Sequence, residues 1–104
     1  MSNLFVYGTL IDDAAIRSVL GRMPRSRVAV LRGFRRAAHE KGPWVVAEPD
    51  PAAQIAGRVL EGLSEGEVDR FDTFEGVDLG LYRRIIVHVE VGARRVEAWT
   101  YVRL

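Results

Sequence analysis

The chain has 104 residues, with fifteen basic side chains set against fourteen acidic ones for a formal net charge of +1, and nothing in that balance calls for a polyanionic partner such as nucleic acid. It has no cysteine, which excludes disulfides, thiolate nucleophiles and cysteine-based metal sites. Nearly half of the residues are hydrophobic, enough for one core, so one domain over residues 1–104 is expected.

Leu4-Phe5-Val6-Tyr7 reads as a short buried strand, broken by Gly8-Thr9-Leu10. Asp12 or Asp13 can cap a short helix over residues 14–20, which Gly21 ends. Strand, glycine turn and helix in that order expose the backbone N–H groups of residues 8 to 10 to an anion or a polarised oxygen. Read alone, Gly8 needs to do no more than make a tight turn. The stretch is not a P-loop, because the second glycine and the Lys-Ser/Thr pair are missing.

A second strand is expected through Val28–Leu31 and Gly33-Phe34. Its arginines, Arg32, Arg35 and Arg36, come without a stacking array or recognition helix, so they read as a solvated strand edge. After the turn at residues 40–43, Trp44-Val45-Val46-Ala47 reads as a third strand ended by Pro49-Asp50-Pro51. Residues 55–60 read as a fourth, with Gly57 marking a bulge or a close backbone approach.

Ser64-Glu65-Gly66-Glu67 fits a capping box and opens a second helix, which Gly76 stops. At 3.6 residues per turn, Glu75 shares a face with Val68 and Phe71, the residues expected to bury that helix. A carboxylate on an apolar face admits two readings. Desolvated, it has a raised pKa and is a proton acceptor near neutral pH. Turned to solvent or paired with an arginine, it is an ordinary helix end.

After a short loop, residues 81–91 alternate as a strand, and Gly92-Ala93 forms a two-residue type II′ turn. Pairing residue 91 with 94 places Val89 opposite Val96, Val87 opposite Ala98, Glu90 opposite Arg95, His88 opposite Glu97, Ile86 opposite Trp99 and Arg84 opposite Tyr101. His88 is thus a partner for Glu97 rather than a catalytic imidazole. Arg84 is expected to stack on Tyr101 or to pair with a carboxylate such as Asp72.

About six strands and two short helices, without βα alternation, predict an α+β fold: a small mixed, mostly antiparallel β-barrel with two short flanking helices. His39 and His88 make no metal-ligand spacing, no apolar run approaches the ~20 residues that span a bilayer, and the start lacks the pattern of a signal peptide. The expectation is a soluble cytoplasmic protein without metal or membrane contact.

Two segments together, Leu4-Phe5-Val6-Tyr7-Gly8-Thr9-Leu10 and Phe71-Asp72-Thr73-Phe74-Glu75-Gly76 with Tyr82-Arg83-Arg84, resemble the signatures of the gamma-glutamylcyclotransferase-like (avirulence-induced-gene-like) family. The Tyr-Gly-Thr-Leu form is similar to the compact branch acting on gamma-glutamylamines. The closing strand, with Ala98-Trp99-Thr100-Tyr101-Val102, also fits. One departure is Pro43-Trp44, where family members often carry an aromatic-proline pair in the reverse order at the cavity wall.

The resemblance implies a small mixed β-barrel. It implies Glu75 as general acid/base, the turn at Gly8, Thr9 and Leu10 as the holder of a substrate oxygen, and Tyr7 and Tyr82 as cavity walls. It implies a cyclisation that releases 5-oxoproline and a free amine from a small gamma-glutamyl compound without a cofactor. The alternative is a non-catalytic small-molecule-binding module of the same fold.

Overall fold

The computed structural model describes residues 1–8, 12–38 and 45–103. Its elements are β1 (Ser2–Val6), α1 (Asp13–Leu20), β2 (Ser26–Ala38), β3 (Val45–Leu63), α2 (Glu65–Glu75), a single 3-10 turn (Val77–Leu79), β4 (Tyr82–Val91) and β5 (Arg94–Arg103).

The β4–β5 hairpin forms in the register that its turn dictates, from Val91 opposite Arg94 down to Tyr82 opposite Arg103. Gly92 has φ 60° and no described non-glycine residue has positive φ, as a glycine-first II′ turn requires. The sheet continues in the order β1-β3-β2-β4-β5 and closes into a barrel. The closing pair, Leu4 with Trp99, is parallel, and the other pairings are antiparallel. The expected architecture of a small, mostly antiparallel barrel with two flanking helices is the one observed.

The strand count differs from expectation. Residues 44–47 and 55–60 were expected as separate strands; the described residues show one strand, β3, running from Val45 to Leu63 alongside β2 and giving five strands instead of six. Pro49 and Pro51 withdraw two N–H donors, and the ladder absorbs the loss as a register shift rather than a break. Arg32 lies opposite Gln54 whereas Phe34 lies opposite Pro49, so residues 50–53 bulge out against Gly33. The Asp50 side chain closes the bulge by accepting from the Ala52 N–H at 3.0 Å. Trp44, placed in the expected third strand, lies outside the described residues.

Alternation along the strands builds two apolar layers. Phe5, Ala29, Leu31, Ala47, Ile55, Val59, Val89 and Ala98 fill the barrel interior. On the outside Leu4, Val6, Val46, Leu60 and Leu63 meet Ile16 and Leu20 of α1 and Val68 and Phe71 of α2. Asp12 caps α1 by accepting from the Ala14 N–H, and Gly21 ends the helix in the left-handed region. Among the described residues no helix is long and apolar enough to cross a membrane.

Gly57 is a close approach, as its place in an apolar strand suggested. A Cβ there would lie 2.3 Å from the Val6 carbonyl oxygen and 2.7 Å from the Phe5 ring. Because that oxygen belongs to the paired backbone of β1, it cannot move aside cheaply. Gly57→Ala is therefore expected to lower stability by about 1–3 kcal/mol, the usual cost of overpacking. An unchanged urea midpoint would show that β1 and β3 can separate freely.

Candidate functional site

The site begins at the far end of the helix that carries it. The Ser64 side chain accepts from the Glu67 N–H at 3.2 Å, and the Glu67 carboxylate accepts from the Ser64 N–H at 3.1 Å, closing the capping box. Arg22 donates to both oxygens of the same carboxylate at 2.7 and 2.8 Å, fastening the segment after α1 to the start of α2. That guanidinium holds the Glu67 carboxyl down at about 2. Val68 and Phe71 are buried, which fixes the roll of α2. At the other end Gly76 adopts φ 71° and its N–H reaches the Asp72 and Thr73 carbonyls. The left-handed φ is what favours glycine there; a Cβ would also press on the end of the Leu81 side chain at 2.8 Å.

Glu75, the last residue of α2, faces a cavity of about 430 Å³. The wall is built from Phe5, Val6, Tyr7 and Gly8 around the end of β1, Val45 at the start of β3, Phe74 and Glu75 from α2, Leu81 and Tyr82 at the start of β4, and Tyr101 from β5. Burial pushes the Glu75 carboxyl up to about 7. The position adds to this, because the C-terminal end of a helix carries partial negative charge and α2 has no basic residue in its last turn. Glu75 is part-buried on the cavity wall, a placement compatible with the desolvated reading of it. Among the described residues no arginine pairs with it.

The three cavity tyrosines spend their hydroxyls on the protein itself. Tyr7 donates to the Tyr101 carbonyl and accepts from the Ala47 N–H at 3.0 Å. Tyr82 donates to the Val45 carbonyl at 2.7 Å, and Tyr101 donates to Asp72 Oδ1 at 2.7 Å. Burial raises all three, Tyr82 to about 12 and the other two further, so none exchanges a proton near neutral pH. Tyr7 and Tyr82 thus contribute ring faces to the wall.

Tyr7, Gly8, Glu75 and Tyr82, singled out from the sequence, come together on one cavity. Thr9 and Leu10, named with them, lie outside the described residues, as does Pro43-Trp44. Sequence reasoning missed Tyr101, Phe74 and Leu81. The hairpin register held the signal for Tyr101, since it sets that residue opposite Arg84 and two positions from Tyr82 on one face. Arg84 pairs with Asp72, as one of its two expected partners, with Nε 3.6 Å from Oδ1. Its guanidinium stacks 4.3 Å over Trp99 rather than on Tyr101. Trp99 is the diagonal neighbour across the hairpin, and Tyr101 is already engaged by Asp72.

Three exposed arginines of β2 are in ion pairs, Arg27 with Glu61 at 2.9 Å, Arg32 with Glu90 at 2.6 Å and Arg35 with Glu48 at 2.7 Å; they are solvated as expected, but β2 is no edge, since it pairs with β3 on one side and β4 on the other. His88 Nε2 lies 3.9 Å from Glu97, its cross-strand partner. Among the described residues no cluster of side chains could hold a metal ion.

A small, mostly antiparallel closed barrel with two flanking helices and a cavity lined by Gly8 and Glu75 is a gamma-glutamylcyclotransferase-like fold. The chain belongs to the family described as gamma-glutamyl cyclotransferase, AIG2-like, whose model matches residues 4–104. It is similar to protein AIG2 C of Arabidopsis thaliana, 31% identical over 102 residues that cover 96% of this chain, and it spans 60% of that relative's length. It is also similar to AIG2-like protein D of the same plant, 28% identical over 98% of this chain and 67% of the relative. A solved Arabidopsis thaliana structure superposes with a TM-score of 0.86 at 28% identity, over 99% of this chain and 68% of that one. A solved gamma-glutamyl cyclotransferase superposes at 0.82 over 99% of this chain and 66% of that one; at 20% identity that likeness is one of fold.

The burial of Glu75 has a thermodynamic signature. With the folded carboxyl at about 7 against an ordinary 4.5, the folded chain keeps a proton between those values that the unfolded chain has lost. Stability from this group therefore falls as pH rises through that window, and the penalty is complete above about 7. Glu75→Gln removes it. The variant is expected to be more stable than the parent at pH 8, by about 1–3 kcal/mol, and nearly equal at pH 4.5. Melting both proteins at the two pH values checks this; the same difference at both would mean that Glu75 is not desolvated.

Proposed function

We propose that the chain is a gamma-glutamyl cyclotransferase that converts a gamma-glutamylamine, or a metabolite blocked by a gamma-glutamyl group, into 5-oxoproline and a free amine, with Glu75 as the single acid/base. The observation that carries this reading is the Glu75 carboxylate, raised by burial on the wall of a cavity that Gly8 also lines. Membership of a family that includes gamma-glutamyl cyclotransferases supports it.

A gamma-glutamyl group carries its own nucleophile. Its α-ammonium must lose a proton, fold back and attack the γ-carbonyl carbon to close a five-membered lactam. Because the attack is intramolecular, holding the folded conformer supplies much of the acceleration. Glu75 takes a proton from the ammonium. The nitrogen then adds to the γ-carbon, and the carbonyl electron pair moves onto oxygen. In this reading the donors to that oxyanion are main-chain N–H groups of the stretch Gly8, Thr9 and Leu10. As the carbonyl re-forms, the bond to the leaving nitrogen breaks and protonated Glu75 returns the proton to it. A second proton follows the same route. Two protons leave the attacking nitrogen and two arrive on the departing one, so the amine leaves as an ammonium and no cofactor or co-reactant is consumed. Tyr7 and Tyr82 wall the folded substrate.

Glu75→Gln tests this directly. The amide is nearly isosteric, so the fold should persist, and it cannot accept a proton. General acid–base help is typically worth ~10²–10⁴ in rate, and the loss should sit at the upper end because one group serves both transfers. With the parent protein, kcat/KM for 5-oxoproline release should rise through about pH 7 as Glu75 ionises. Near-parental turnover by the glutamine variant would remove Glu75 as the base. Binding of gamma-glutamyl compounds by the parent without any release of 5-oxoproline would leave a binding module instead.

A further inference from the structure

The cavity's carboxylate sits on the last turn of a helix, the part of a helix most prone to fray, and a second carboxylate, Asp72, shares that turn. Asp72 precedes Glu75 by three residues on α2, so its side chain projects from the same turn. Its Oδ1 accepts from the Tyr101 hydroxyl at 2.7 Å and lies 3.6 Å from Arg84 Nε. Arg84 is braced from behind by the Trp99 ring. Tyr101 and Trp99 belong to β5 and Arg84 to β4, so one carboxylate ties the end of α2 to both strands of the hairpin. Its own main-chain carbonyl accepts from the Gly76 N–H, so the same residue also closes the helix.

We propose that Asp72 is a positioning residue, which, by accepting from Tyr101 and pairing with Arg84, locks the last turn of α2 on the β4–β5 hairpin and keeps Glu75 aimed into the cavity. The charged and titratable groups around Glu75 are consistent with a role exerted through geometry. Tyr7 just after β1, Tyr82 from β4 and Tyr101 from β5 face it as neutral phenols, and Arg84 is turned toward Asp72. What keeps the Glu75 carboxyl in its raised state is removal from water, and that removal lasts only while the turn stays docked.

The catalytic half of the proposal rests on Glu75 being the base; the structural half does not, and the test separates them. In unliganded protein labelled at glutamate side-chain carboxyls, the titration of Glu75 is followed by carbon NMR in the parent and in Tyr101→Phe, Asp72→Ala and Asp72→Asn. In Asp72→Ala and Tyr101→Phe the midpoint should move from about 7 toward 4.5, as the freed turn lets the carboxylate hydrate. Asp72→Asn keeps an oxygen that accepts from Tyr101 and should recover most of the parental midpoint. In parallel, kcat for 5-oxoproline release from a gamma-glutamylamine should fall about 10- to 100-fold in the alanine variant with KM little changed, the expected cost of misplacing a reacting group by about 1 Å. If folded Asp72→Ala titrates as the parent does, or if Asp72→Asn is as displaced as the alanine variant, the clamp is wrong. A parental titration at about 7 in a protein that never releases 5-oxoproline would overturn the cyclotransferase reading and leave the clamp standing.

Discussion

The structure is organised around a part-buried carboxylate at the negative end of a helix. Both circumstances oppose ionisation: burial strips hydration from the anion, and the partial negative charge at the C-terminal end of the helix repels it. Helix α2 supplies what offsets them, and it does so away from Glu75. At its N-terminal end two glutamates meet the positive end of the helix, the capping box satisfies orphan N–H groups, and Arg22 grips Glu67. Along its length Phe71 and Val68 are buried, each such side chain worth about 1.5–3 kcal/mol. A helix with so much favourable interaction elsewhere can end on a residue that would not choose to be there.

The seam that closes the barrel runs beside the cavity. β1 meets β5 through the backbone pair of Leu4 and Trp99, and side chains supply the rest of the joint. The Thr100 hydroxyl donates to the Phe5 carbonyl at 3.0 Å in a fully buried position, Asn3 donates to the Glu97 carbonyl at 3.2 Å, and Tyr7 donates to the Tyr101 carbonyl. Phe5, Tyr7 and Tyr101 are also cavity wall. Closing the barrel and shaping the cavity are therefore the work of the same residues. With their hydroxyls committed to main-chain or carboxylate acceptors, the tyrosines make a stiff apolar surface around one ionisable group.

Much of this was legible in the sequence wherever a local rule has one solution. A glycine-first two-residue turn leaves one register for a hairpin, and every pair from residues 84 and 101 to residues 91 and 94 follows from it. Ser64 with Glu67 set the start of α2 and Gly76 its end, and helical spacing then placed Glu75 on the buried side. What the sequence hid was non-local. Pro49 and Pro51 are strand breakers by themselves, but β2 offers a partner long enough to hold both sides of the bulge, so one strand runs through. Phe74 read as part of a motif, yet its place at the cavity, half exposed, depends on how the turn at Gly76 directs the chain into Leu81. The competition between Tyr101 and Trp99 for Arg84 was settled by Asp72, on an element about a dozen residues earlier.

The stability that Glu75 costs and the basicity that it gains are one quantity seen from two sides. A carboxyl raised from 4.5 to about 7 holds its proton more tightly by roughly 3 kcal/mol, and linkage charges the same amount to the folded state once the group ionises. For the proposed cyclisation that exchange is favourable, because one group must take a proton from an ammonium and then surrender it to a departing nitrogen. An ordinary carboxylate would be too weak a base for the first step, and a much stronger base would be slow to release the proton in the second. A pKa near the working pH serves both. Within this cavity burial raises the carboxyl, and among the described residues no cation pairs with it to draw it back down.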